Sequence, residues 1–201
     1  GSAAYTGMVN GDSLTFSAAT AVFNDKNAGS KTVSVNGIVL GGADAGNYTL
    51  GNATASGSGT ITAKTLTLSS IADKVYDGSS KASFSQGVLN GLVGSEVLDI
   101  SGSGSYADKN AGIGKAFTVN AATLADAGSG ASAGMASNYV LATPSGVTGT
   151  VSKASINGVT GIVANNKVYD GNALASLNTG SASFAGMVGG DNLAVTGASG
   201  S

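Results

Sequence analysis

Two lysine–aspartate pairs with a tyrosine between them are the residues best placed to do chemistry. They lie in Lys74-Val75-Tyr76-Asp77-Gly78 and in its unchanged copy Lys167-Val168-Tyr169-Asp170-Gly171. A lysine three positions ahead of a carboxylate suggests two chemistries. It is a candidate nucleophile for an intramolecular amide cross-link, or it is one arm of a turn in which the aspartate caps its own backbone. Catalysis at Asp77 or Asp170 would need a partner acid or base. The chain has no histidine and no cysteine, and all nine of its basic residues are lysine. The usual neutral-pH base, the thiolate ligand and the bidentate phosphate fork are therefore missing. Two carboxylates at a spacing that would suit glycoside hydrolysis are not evident. The expectation is that the protein is not an enzyme.

Oxygen ligands also gather in Asp25-Lys26-Asn27 and Asp108-Lys109-Asn110. Calcium takes six to eight oxygens and usually several carboxylates. Each loop offers one carboxylate beside a lysine, so no cofactor is expected there. Calcium between repeats, through Asp12, Asp44 or Asp73, stays open as an alternative. The net charge of −2 favours neither nucleic acid nor anionic lipid. No run of 18 apolar residues is present to span a membrane as a helix. Only 5% of the residues are aromatic, and most of these are needed in a core.

The elements that must position these residues recur. The turn Gly7-Met8-Val9-Asn10-Gly11-Asp12 matches Gly91-Leu92-Val93-Gly94-Ser95-Glu96 and Gly186-Met187-Val188-Gly189-Gly190-Asp191. Asp25-Lys26-Asn27-Ala28-Gly29 returns as Asp108 to Gly112, and Asn47-Tyr48-Thr49-Leu50 as Asn138-Tyr139-Val140-Leu141. A spacing of about 90 residues is too long for a solenoid rung, so each unit is a domain. Residues 1–64 read as the C-terminal part of a first repeat, 65–153 as a complete one and 154–201 as the N-terminal part of a third. Gly1-Ser2 reads as an expression scar, which points to a piece of something longer.

Within a unit, stretches such as Lys31-Thr32-Val33-Ser34-Val35 and Thr65-Leu66-Thr67-Leu68-Ser69 alternate apolar with small polar residues, the pattern of half-buried antiparallel strands. Asp77-Gly78 and Asp170-Gly171 predict tight turns. The Asp-Lys-Asn-Ala-Gly segments predict hairpin loops between strands carrying Phe23 and Val33, or Tyr106 and Phe117, with the glycine left-handed. In the pentapeptides the tyrosine is expected to pack inward and the lysine to stay in water. Asp44-Ala45-Gly46-Asn47-Tyr48-Thr49-Leu50 has the spacing of a tyrosine corner, which closes a β-sandwich and sends the tyrosine hydroxyl to upstream backbone. Leu50 would then be a core residue. Tyr139 is the second corner, after an insertion, Ser129 to Ala136, that reads as slack. The fold class expected is all-β, with tandem immunoglobulin-like antiparallel β-sandwich repeats.

These motifs together, closed by Ile61-Thr62-Ala63-Lys64 or Val151-Ser152-Lys153, resemble the YDG family, a relative of the MBG repeats. The resemblance covers nearly the whole chain. It implies an immunoglobulin-like fold and a tandem stalk in large secreted bacterial adhesins, often filamentous-haemagglutinin-like and exported by two-partner secretion. The implied function is a structural spacer at the extracellular cell surface, contributing to adhesion or biofilm formation. The alternative is a module that binds carbohydrate, either an exopolysaccharide or a host glycan. The partners expected are neighbouring repeats. Head-to-tail association is a further option, residues 154–201 of one chain completing residues 3–64 of another. The structural residues so marked are Lys74, Tyr76, Asp77, Gly78, Lys167, Tyr169, Asp170, Gly171, Asp44, Tyr48 and Tyr139.

Overall fold

The computed structural model describes residues 6–196, so Gly1-Ser2 and Tyr5 lie outside the described residues. Among those described the chain is all β, with three short 3-10 turns and no α-helix. It divides into two compact units, Gly1–Lys64 with Ser137–Val140, and Thr65–Ala136 with Leu141–Ser201.

In the first unit, β1 (Thr15–Ser17) pairs antiparallel with β4 (Val39–Gly41). The strands β2 (Thr20–Phe23), β3 (Gly29–Asn36) and β5 (Thr54–Ile61) form an antiparallel sheet in the order β2-β3-β5. Lys31, Val33 and Val35 share the half-buried face of β3 while Thr32 and Ser34 face water, the period-two signature of a strand.

The second unit begins with β6 (Lys64–Ile71), β7 (Lys74–Val75), β8 (Lys81–Phe84) and β9 (Gly87–Asn90). It continues with β10 (Leu98–Tyr106), β11 (Gly112–Asp126) and β13 (Thr148–Ser152); β12 (Tyr139–Leu141) falls at the division, with Tyr139 and Val140 in the first unit. The strands of the second unit make one sheet in the order β6-β13-β11-β10-β8, with β7 added to β13 and β9 to β6. Four short strands follow: β14 (Gly158–Thr160) pairs with β17 (Ser183–Ala185), and β15 (Val163–Ala164) with β16 (Leu177–Asn178).

The expectation of purely antiparallel strands needs correction. Strand β13 runs parallel to both β6 and β7. Parallel neighbours need a long crossover, and here the whole run from β8 to β12 supplies it. Local alternation is the same for either direction of pairing, so the sequence pattern does not distinguish them.

The buried apolar residues all fall between Leu66 and Val151. Leu68, Ile71, Phe84, Ile100, Tyr106, Phe117, Val147 and Val151 form one cluster. Phe117 is its hub: the Phe84 ring meets it edge-on at 6.0 Å and the Tyr106 ring at 4.9 Å, geometries that aromatic quadrupoles favour. The backbone of β11 and these rings together explain the glycines of β10. A Cβ on Gly102 would lie 2.1 Å from Ala121 O and 2.6 Å from Phe84 Cζ, and one on Gly104 would lie 2.1 Å from Thr118 O and 2.6 Å from Phe117 Cε1.

The insertion at 129–136 is ordered rather than slack. Ala127 and Gly134 exchange backbone hydrogen bonds, the Val97 N–H donates to Ser132 O, and the Ala136 N–H donates to Asp126 Oδ1 at 2.7 Å. Gly134 fits closely over Val97, where a Cβ would lie 2.1 Å from Val97 O.

Candidate functional site

Four aspartates are held in the same way. Asp77 Oδ1 accepts the Ser79 N–H at 2.9 Å and sits 2.7 Å from Lys74 Nζ. Asp170 Oδ1 accepts the Asn172 N–H at 3.2 Å and sits 2.9 Å from Lys167 Nζ. Asp25 Oδ1 accepts the Asn27 N–H at 2.8 Å and sits 2.6 Å from Lys31 Nζ. Asp108 Oδ1 accepts the Asn110 N–H at 2.7 Å and pairs with Lys115 Nζ. A carboxylate bonded to the amide two residues ahead makes a turn without a helix. The ammonium then ties that turn to carbonyls. Lys74 donates to Ser79 O at 2.7 Å and to Lys81 O at 2.6 Å, and Lys115 donates to Asn110 O at 2.6 Å. In each case the lysine first, and the backbone N–H second, holds the aspartate below its ordinary pKa.

This clasp corrects one expectation. The Lys74 side chain is 13% exposed, so it is not a solvated strand-edge lysine. Its three protons are all spent on oxygens of its own loop, which is why it can leave water. An amide cross-link from Lys74 to Asp77 would join residues three apart in one loop and tie no strand to another. Lys31 and Lys115 were not legible as partners of the hairpin aspartates. The available signal was their place on the inward face of the strand after the loop, where the other residues are apolar or small.

The hairpins themselves lie where the spacing puts them. Phe23 pairs with Val33 and Tyr106 with Phe117. Gly29, which opens β3, has φ +124°, whereas Gly112, which opens β11, takes no left-handed conformation. Gly78 and Gly171 are left-handed, at φ +81° and +76°. Yet the Asp77-Gly78 turn joins β7 to β8, which do not pair with each other. It is a connection between sheet positions and not a tight hairpin.

At Tyr48 the hydroxyl accepts the Val9 N–H at 2.9 Å and donates to Asp12 Oδ2. That bond to Asp12 is the first cause of its raised pKa, because the carboxylate favours the protonated phenol. Asp44 serves the same corner from another side, its Oδ2 accepting the Ser13 N–H at 2.8 Å. Leu50, expected in a core, is 38% exposed. Residues 6–64 contain no buried residue that could receive it. Tyr139 is buried. Asn138 Oδ1 accepts the Ala28 N–H at 2.7 Å.

A further cluster joins the two later repeats within the second unit. The Tyr76 hydroxyl donates to Asp191 Oδ1 at 2.8 Å. Lys109 Nζ lies 3.4 Å from the same oxygen and 5.9 Å from the centre of the Tyr76 ring. The Tyr76 hydroxyl first, then the Asp191 carboxylate, raises the Lys109 pKa. An open pocket of about 320 Å³ adjoins the cluster, lined by Tyr76, Ala111, Ile156, Met187, Val188 and Leu193 among others. Asp191 is the residue that sequence reasoning left aside. Its landmark turn was visible, but its contact across 115 positions was not. No group of three or more His, Cys, Asp or Glu side chains gathers as a metal site among the described residues.

A landmark set of which one turn occurs three times and the other motifs twice, used for turns and for contacts between repeats, describes a tandem domain. The YDG domain profile matches residues 1–57, 62–146 and 152–201. The chain belongs to the YDG domain family. No curated protein and no solved structure matches it. The middle YDG match holds nearly all of the buried core, and the outer two hold none of its cluster.

Proposed function

We propose that these YDG repeats are structural spacers in a secreted or cell-surface bacterial adhesin. They extend it from the cell and so contribute to adhesion or biofilm formation. Each complete repeat is read as an immunoglobulin-like β-sandwich, a reading supported by one many-stranded sheet with a single aromatic-centred core cluster. The role is structural and not enzymatic, and its place is extracellular.

The observation that carries this reading is how the motif spends its chemistry. The four lysine–aspartate clasps close their own loops, while Lys109 and Tyr76 both meet Asp191. Side chains used in this way hold a module together and link it to the next. Small-angle X-ray scattering on the chain, and on arrays with one and two further repeats, tests the proposal. A spacer gives a maximum dimension that rises linearly with repeat number, whereas arrays that fold back to a constant dimension would refute it.

A further inference from the structure

We propose that the tyrosine of Lys-Val-Tyr-Asp-Gly is the docking point between successive YDG repeats. It takes the aspartate-bearing turn of the following repeat, as Tyr76 takes Asp191, and Tyr169 is the same surface for the turn of a further repeat. The proposal rests on reading the chain as a repeat array and not on where that array is displayed.

The turn is closed by the same hydrogen bond in all three copies, and the two that end in aspartate also share a left-handed glycine before it, Gly11 and Gly190, where the middle copy turns at Gly94 instead. The Asp12 N–H donates to Val9 O at 3.2 Å, the Glu96 N–H to Val93 O at 3.0 Å and the Asp191 N–H to Val188 O at 3.1 Å. A repeated, hydrogen-bonded turn ending in a carboxylate is a preformed plug. Its carboxylate has two oxygens with separable uses. Asp12 Oδ2 receives the hydroxyl of Tyr48, from its own repeat. Asp191 Oδ1 receives the hydroxyl of Tyr76, from the preceding one. One aspartate can therefore lock the corner of its own domain and the joint to its neighbour.

The receiving surface is also built. Lys109, from the hairpin loop, lies against both the Asp191 carboxylate and the Tyr76 ring. Val188 reaches Gly78 closely enough that a Cβ there would lie 3.0 Å from Val188 Cγ1. The glycine of the pentapeptide thus makes room for the plug as well as turning the chain. Tyr169 carries the same pentapeptide but is 93% exposed. The occupant it fits is a turn of the pattern Gly-Met-Val-x-Gly-Asp, an apolar tip followed by an acid.

Nitration of the full chain with tetranitromethane, mapped by peptide mass, tests the joint. Tyr169 is expected to react about tenfold faster than Tyr76, the factor one charge-assisted hydrogen bond of about 1.4 kcal/mol supplies. Asp191→Ala should raise the Tyr76 rate severalfold toward that of Tyr169, short of it because Tyr76 still packs on the core cluster. Asp191→Asn, which keeps an acceptor, should retain most of the protection. In a chain extended by one repeat, Tyr169 should become as slow as Tyr76. Amide exchange gives a readout that does not depend on Asp191 variants: Tyr76→Phe, which removes only the hydroxyl, should speed exchange across residues 187–191 while β10 and β11 stay protected. An unchanged Tyr76 rate in Asp191→Ala, or unchanged exchange in Tyr76→Phe, overturns the proposal. Neither result depends on the scattering experiment, so joint and spacer can fail separately.

Discussion

The two copies of Lys-Val-Tyr-Asp-Gly are identical in sequence and different in circumstance. Both form the lysine–aspartate clasp, and both place their glycine in the left-handed region. Beyond that they part. Lys74 is 13% exposed and Lys167 37%. Tyr76 packs on the core cluster and bonds to Asp191, whereas Tyr169 stands in water. The clasp is local chemistry, complete within eight residues, so any copy can make it. Burial of the tyrosine needs β10, β11 and β13 around it and a partner turn beyond. The same pentapeptide therefore reports how much of a repeat surrounds it.

The largest expected effect tests whether the core belongs to the middle repeat alone. Phe117→Ala removes the hub of the buried rings and is expected to cost about 3–5 kcal/mol. Phe23→Ala, at a position 40% exposed, is expected to cost about 1 kcal/mol or less. Native-state amide exchange of β10 and β11 against β2 and β3 measures both. Equal losses at the two sites would break the contrast. Next in size is the glycine of the pentapeptide. Gly171→Ala meets only the left-handed backbone penalty, about 1 kcal/mol, since nothing lies within 4 Å of its Cβ position. Gly78→Ala adds crowding against Val188. Urea unfolding should find Gly78→Ala the more destabilised, and equal losses would mean that Val188 does not press on the turn.

Much of this was legible. The strands, the two hairpins with Phe23 opposite Val33 and Tyr106 opposite Phe117, and the turn role of the aspartates follow from period-two alternation and Asx-turn chemistry, which act over a few residues. What was not legible depends on distant partners. Tyr76 and Tyr169 have the same neighbours in sequence, so only the fold separates them. The burial of Lys74 depends on the carbonyls of Ser79 and Lys81 turning back toward it. The parallel seat of β7 beside β13, and the ordering of 129–136 over Val97, are set by packing across long loops. Leu50 shows the converse error, because a motif borrowed from complete sandwiches was applied to a segment whose described residues bury no core.

The smallest expected effect is acid sensitivity, and it separates the two clasps again. Asp25, Asp77, Asp108 and Asp170 are each held low by a lysine and then by a backbone amide. An unfolded aspartate titrates near about 3.9. A folded value below that means the unfolded chain binds protons first, so each clasp contributes its full stability above that value and loses it as pH falls through the lowered one. Stability should therefore hold flat from neutral pH down to about pH 5 and decline below about pH 4. All four carboxylates are exposed, so salt should shrink the effect. Lys74 is more enclosed than Lys167, and its pair with Asp77 is less screened. Asp77→Asn should accordingly flatten the acid limb more than Asp170→Asn, measured as the unfolding midpoint between pH 2 and pH 6. An equal response at both positions would mean that enclosure of the lysine adds nothing to the clasp, and that local geometry alone sets its strength.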